Sequence, residues 1–327
     1  MDKIAADGKE GRRETRQEAR EDARQNARRE DALREDALRE GAREKGTSYF
    51  SDAFAKFREH RLAVFGLGVL VALILTVTIL PLLMKLDPYS SDPLSFGSAP
   101  GGAHILGTDA VGRDLLARMV HGGRTSLFVG LSSTVISLFI GVPLGVLAGY
   151  YRGWWETGVM RVADVFMSFP AMILILVLVA VVGPSIWSVT IVIGILGWTQ
   201  FARLIYANVL SVREKEYIES AHAIGSTDLV IITKYVLPNS FAPILIAMTF
   251  RTAQAIIMES SLSFLGMGVQ PPMASWGNLM NEAQSISVLA GKPWIWAPPG
   301  IALVLIVLSI NFFGDGVRDA LDPKMRI

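Results

Sequence analysis

Twenty-three consecutive residues from Leu62 to Met84 carry no charged side chain. As a helix they would be about 35 Å long, enough to cross the ~30 Å hydrocarbon core of a bilayer with some tilt. Backbone at that depth finds no water, so its amides must be satisfied internally. Five further apolar stretches follow: Ser126 to Tyr150, Val165 to Val182, Ile186 to Tyr206, Phe241 to Met267 and Pro298 to Phe313. The fourth and sixth spans are the weakest, because polar residues interrupt one and the other is short. Six spans leave both termini on one side. Lysine and arginine favour the N-terminal flank, the loops after Tyr150 and Ile205, and the C-terminus, which places both ends in the cytoplasm. Lys85, Arg113, Arg118 and Arg124 in the first outer loop run against that bias. The expected fold class is an all-α polytopic membrane protein with six transmembrane helices.

Composition agrees with that class. Apolar residues make up 51% of the chain and charged residues only 19%, more apolar than a soluble domain of this size needs. Residues 1 to 46 hold 13 of the 31 basic and 13 of the 30 acidic side chains, so the rest is poorer still in charge. A net charge of +1 argues against nucleic acid as a partner. Cysteine is absent, which removes disulfides, zinc thiolates and a cysteine nucleophile. His60, His104, His121 and His222 are scattered without ligand spacing, so no metal site is expected. About 60 residues precede the first apolar run, which argues against a cleavable secretory signal. The tail over 1–48, with its repeated REDAL unit, reads as a charged cytoplasmic segment, disordered or partly helical. Lipid-surface or partner binding is its alternative reading.

Between the fourth and fifth runs lies EYIESAHAIGSTDLVIITKYVLPN, residues 216 to 239. Tyr217, Ala221 and Ile224 share a helical face, Gly225 suits a left-handed helix end, and Ser226 or Thr227 can cap a second helix. Asp228 suits that helix's N-terminus, and Pro238 is expected to stop it after Leu237. By periodicity alone, a hairpin resting on lipid headgroups is an equal reading.

Glu219-Ser220-Ala221, then Gly225, then Tyr235-Val236-Leu237-Pro238, resembles the EAA loop of ABC importer permeases. Ser220 departs from the usual second alanine but is small. HILGTDAVGRDLLARMVHGGRTSL at 104 to 127, ESSLSFLGMGVQPPMASWG at 259 to 277 and FFGDGVRDALDP at 312 to 323 resemble the C-type permease subunit of dipeptide, oligopeptide and nickel importers. The resemblance covers residues 50 to 327. It implies a type I ABC importer permease fold, with a first helix and extracytoplasmic loop over 49–122 and a five-helix core over 123–327. It also implies that Glu219, Ser220, Ala221, Gly225, Leu237 and Pro238 couple the chain to an ATPase subunit. A second homologous permease in a heterodimer, two ABC ATPase subunits carrying ATP and magnesium, and an extracytoplasmic solute-binding protein are the implied partners, in the inner (plasma) membrane of a prokaryote. The substrate class is peptide, with nickel or another small solute as the alternative.

No G-x-x-x-x-G-K-[ST] phosphate loop occurs in the chain, so ATP hydrolysis is expected on another polypeptide and no catalytic residue on this one. Ser133, Ser137, Gly141, Gly145 and Gly149 recur every fourth residue, a strip for close helix packing. Pro143 within that run predicts a kink. Asp109 is expected to cap a short helix from Ala110, with Leu115, Leu116, Met119 and Val120 on its apolar side. Pro271-Pro272 marks a turn and Trp276 suits the membrane interface. Arg251 and Glu259 lie inside the fifth run, about 12 Å apart along a helix. There they line the translocation route or pair structurally with another helix. Two rivals are an ion-coupled secondary carrier, relaying charge through Arg251, Glu259 and Asp164, and a membrane scaffold that recruits partners through the tail.

Overall fold

The computed structural model describes residues 49–102 and 104–321, so the expectations for the tail fall outside the described residues. Helix α1 spans Tyr49–Glu59 and α2 spans Arg61–Met84, the latter capped by the His60 ring accepting from the Ala63 amide at 3.1 Å. Pro81 sits inside α2 and cannot donate to the carbonyl four residues back, that of Val77. The Arg124 Nε supplies the missing donor to Val77, and its Nη2 donates to Thr78 at 2.7 Å. One of the four basic residues that blur the first outer loop is therefore spent on a proline break.

Helix α3 runs Leu115–Tyr151, 37 residues, starting eleven residues before the expected span. At 1.5 Å per residue it is about 55 Å long and overreaches the bilayer. The division expected at 122/123 thus falls inside one helix. Asp109 does not cap it. Gly112 at φ +81° turns the chain out of helical geometry, and Asp114 caps instead, accepting from the Ala117 amide at 2.8 Å. The fully buried Asp109 carboxylate receives the amides of Val111 and Arg113 and pairs with the Arg113 and Arg118 guanidinium groups at 2.7 and 3.3 Å. Two more of the anomalous basic residues thus share that single carboxylate.

The third expected span, Val165 to Val182, is broken. Helix α4 (Gly153–Met167) and α5 (Ala171–Val182) meet at 87°, and Pro170 occupies the N-terminal cap of α5. Ala171–Val182 has 12 residues, about 18 Å, too short to cross alone. The fourth span is also divided, into α6 (Ile186–Leu196) and α7 (Trp198–Arg213), at Gly197. Among the described residues, five helical stretches are long and apolar enough to cross a membrane, or six if the bent pair counts as one.

Helix α3 packs most extensively on α7. A Cβ added to Gly145 would stand 2.6 Å from the Ala202 carbonyl oxygen, and one on Gly149 would stand 2.8 Å from the Val209 Cβ. Only glycine permits those backbones to approach so closely, and dispersion along the seam replaces the hydrophobic force that lipid cannot provide. Ser137 extends the seam toward α6, its Oγ lying 2.7 Å from the Gly194 carbonyl and 2.9 Å from that of Ser133.

Helix α8 is Glu216–Ala223 and α9 is Asp228–Ile231. A π turn over Ile232–Val236 leads into α10, Leu237–Phe264. Pro238 therefore does not stop the helix. The Leu237 amide reaches back five residues to Ile232, widening the backbone where the proline ring would otherwise press on the Lys234 carbonyl. One apolar rod of 37 residues results, from Asp228 to Phe264. Beyond it, α11 (Trp276–Asn281), a 3₁₀ turn at Glu282–Gln284 and α12 (Ile286–Gly291) lead to α13, Pro293–Leu321, longer at both ends than the expected sixth span. Trp276 is not interfacial: it is 1% exposed, lies over Gly123 and donates its Nε1–H to the Met119 carbonyl at 2.9 Å. The loop after α10 folds back onto the bundle, so its aromatic ring serves the core.

Candidate functional site

Two regions carry chemistry that packing alone does not require: the hairpin between α7 and α10, and a cleft at the helix breaks. The first turn of the hairpin is built by Gly225 at φ +80°. Its amide donates to His222 at 2.9 Å and the Ser226 amide to Ala221 at 3.0 Å, the paired bonds of a Schellman closure. The Thr227 backbone is extended at the second helix's start, but its side chain makes no capping bond. Asp228 instead accepts from the Tyr150 hydroxyl at 2.9 Å, and the His222 Nε2 lies 3.4 Å from that same hydroxyl. The last turn of α3 thus clasps both arms. No local pattern around Tyr150 announces that contact.

The apolar face differs from the expected one. Ile218 and Ala221 are buried at 1% and 2%, packed with Val146, Val209, Val212, Ile231 and Val236. Tyr217 and Ile224 point away, with Ile224 81% exposed and Leu229, across the turn, 71% exposed. Glu219 and Ser220 lie exposed on the same first helix, Leu237 is half-buried and Pro238 exposed. The hairpin has one apolar face committed to the bundle and a second, beside acidic Glu219, that stays exposed among the described residues. Arg251 and Glu259 both face the interior, as expected, but in different settings. Glu259 is fully buried and accepts hydroxyls from Ser126 at 2.8 Å, Ser263 at 2.7 Å and Ser260 at 3.3 Å. Ser126 in turn receives the Trp276 amide at 3.3 Å, and Ser263 the Val269 amide at 3.0 Å, so Glu259 ties the outer loop to α3. Arg251 is 8% exposed; its Nη2 donates to the Ile193 carbonyl at 2.8 Å, while its Nε is buried without an acceptor. It forms no ion pair among the described residues. Asp164 does not join either of them and pairs with Arg203. Arg251 lines a cleft of about 480 Å³ together with Phe166, Ala171, Gly197, Gln200 and Gln254. A Cβ on Gly197 would stand 2.5 Å from the Arg251 Nε, so a larger residue there would displace the guanidinium. Gln200 and Gln254 were not among the expected site residues; polar side chains in apolar runs are their only sequence signal. No group of three or more histidine or acidic side chains among the described residues is arranged to hold a metal ion.

Residues 141–327 match the family of binding-protein-dependent transport system inner membrane components, and residues 48–100 match the N-terminal TM domain of oligopeptide transport permease C. A putative peptide permease protein of Brucella suis biovar 1 is 42% identical over 272 residues, 83% of this chain and 90% of that protein. The dipeptide transport system permease protein of Alkalihalophilus pseudofirmus is 37% identical over 279 residues, 85% of this chain and 91% of that protein. The fold is similar to a chain of the MetNI methionine ABC transporter in an inward-facing conformation, with a TM-score of 0.51 and 21% identity over 63% of this chain and 97% of that one. The chain belongs to the binding-protein-dependent transport system inner membrane components, the multi-pass permease subunits of ABC importers.

Proposed function

We propose that this permease imports peptides across the inner (plasma) membrane of a prokaryote. It pairs with a second, homologous permease, receives solute from an extracytoplasmic binding protein and is driven by two ABC ATPase subunits that carry the ATP and magnesium. Peptide is favoured over nickel by the names of the relatives, and because no cluster of histidine and carboxylate ligands lines the cleft. The observation that carries the reading is the uncommitted outer face of the hairpin, where Ile224 and Leu229 are exposed on a knuckle whose inner face is fixed to the bundle. Exposed apolar side chains rimmed by polar ones mark a partner surface.

Glu219, Ser220, Ala221, Gly225, Leu237 and Pro238 act as the coupling element in this reading. Glu219 and Ser220 present the polar rim, while Ala221 lets the first helix sit close to the bundle. Gly225 makes the turn, and Leu237 with Pro238 opens the rod of α10. Because the second arm is continuous with that rod, a displacement of the ATPase subunit moves Arg251 and Glu259 with the hairpin. Rigid-body rocking of such an element alternates access from the two sides. The test is the double substitution Ile224→Asp, Leu229→Asp, which leaves the buried face intact. Loss of ATPase co-purification with unchanged permease pairing is expected. Full ATPase retention together with ATP-dependent uptake would remove the proposal, and uptake by this chain alone under an ion gradient would favour a secondary carrier.

A further inference from the structure

Arg251 lies 13 residues before the outer end of α10, about 20 Å along its axis and deep within the apolar part of the bundle. A buried guanidinium ordinarily has a carboxylate beside it, because an unpaired charge in a water-poor interior is strongly disfavoured. Among the described residues this one has none, and its only hydrogen bond is to the Ile193 carbonyl. The cleft it borders lies between the broken span and the α6–α7 junction: Phe166, Met167 and Ala171 flank the 87° bend, and Leu196, Gly197 and Gln200 flank the Gly197 turn, where the span itself stays continuous. Irregular backbone at membrane depth is tolerated where it lines such a cavity. Ala171 opens α5, and its amide and that of Met172 have no intrahelical acceptor, whereas those of Ile173 and Leu174 both reach the Pro170 carbonyl. The first two add positive potential to the same cleft. Its volume, about 480 Å³, falls in the ~300–1,000 Å³ range of small-molecule sites.

We infer that Arg251, with the first amides of α5 and the carboxamides of Gln200 and Gln254, forms a carboxylate-binding station in the translocation route. The missing counter-charge is carried by the cargo: a peptide's terminal carboxylate docks on the guanidinium during passage and leaves when the route reopens. A fixed acidic partner would hold the arginine permanently paired, whereas a transient one leaves the site free after each cycle. The inference rests on the peptide-importer reading above.

The test uses the complete transporter in proteoliposomes with its binding protein, comparing trialanine with trialanine amide, which lacks the charged terminus. Arg251→Gln is expected to lower trialanine uptake by about tenfold or more, the scale of losing a charge-assisted pair, and to change amide uptake by less than about twofold. Arg251→Lys should recover most of the trialanine uptake. Because the binding protein is the same throughout, its own preference cancels between variants. Equal losses for both peptides, as follow if Arg251 pairs with an acidic residue of the second permease and holds the assembly, would overturn the inference, as would no loss at all. If every form refuses the amide, permease pairing of Arg251→Gln decides: lost trialanine uptake with the two permeases still co-purifying supports the station, and lost uptake with lost pairing overturns it. Wild-type transporter that takes up neither peptide, or does so without ATP, fails the importer reading before any variant is compared and takes the inference with it.

Discussion

Gly225 offers the sharpest test of the hairpin, because at that position backbone conformation separates cleanly from packing. Its φ of +80° lies in the left-handed region, and a Cβ added there meets no atom within 4 Å. Gly225→Ala therefore introduces no clash, only the cost of holding an L-residue left-handed, about 1–2 kcal/mol. The inner face should hold, since Ile218, Ala221, Ile231 and Val236 are all buried against the bundle. Relief of the strain must come from the exposed knuckle, Ile224 to Thr227, which is the part proposed to meet the ATPase. A cost of 1–2 kcal/mol corresponds to roughly 5–30-fold weaker attachment. Gly225→Asn should lose less, because asparagine tolerates this conformation, and Gly225→Val more, because a branched Cβ does not. Affinity for the purified ATPase subunits and ATP-dependent uptake in proteoliposomes measure both ends of the linkage. Attachment and uptake at wild-type level in the alanine and valine variants would refute the reasoning, and an asparagine variant as damaged as valine would show that backbone geometry is not the cause.

Tyr150→Phe removes the hydroxyl that joins Asp228 and His222, and should loosen the hairpin by about 1 kcal/mol without unfolding the bundle. Faster hydrogen exchange confined to residues 216–231 is the expected readout. Gly145→Ala places a methyl 2.6 Å from the Ala202 carbonyl oxygen, and backbone cannot rotate away; a loss of about 1–3 kcal/mol is expected as a lower midpoint of thermal unfolding in detergent. On the outer side, burial pushes the Glu282 carboxyl above its ordinary value, so the folded loop favours its neutral form. Its contribution to stability is fully present below the ordinary glutamate value and is lost as pH rises through the raised, folded one. Exchange protection at Ala110, whose amide Glu282 accepts, should fall over that window in the native chain and stay level in Glu282→Gln, once corrected for the intrinsic pH dependence of exchange. By contrast, the Asp92 carboxyl is held below its usual value by Ser95 and the Leu94 amide, so its contribution is present at neutral pH and lost only in acid as pH falls through that lowered value.

Six apolar runs, the Gly225 turn and the small-residue strip were legible in the sequence, because each expresses a local rule: span length, left-handed tolerance, or a fourfold repeat. Local rules also misled. Pro238 reads as a stop, yet a π turn ending two residues upstream absorbs it, and the two arms of the hairpin become unequal: one short helix and one 37-residue rod. Asp109 looks like a cap until Gly112 turns the chain and two arginines close on its carboxylate, Arg113 from the turn and Arg118 from the next helix. Tyr217 and Ile224 form as good an apolar stripe as Ile218 and Ala221, and periodicity cannot say which stripe meets the bundle.

Composition and spacing by themselves determined a bilayer-spanning helical chain with a glycine-turned hairpin, since burying apolar length and satisfying backbone amides in lipid leave few other solutions. Only the tertiary structure decided that Glu259 is surrounded by serine hydroxyls while Arg251, among the described residues, stands without a carboxylate beside a cleft at the broken third span. The reason is physical: the state of a buried charge is set by groups that lie far apart in the chain, Ile193 and Gly197 for Arg251, Ser126 for Glu259, and by what folding fails to bring to it.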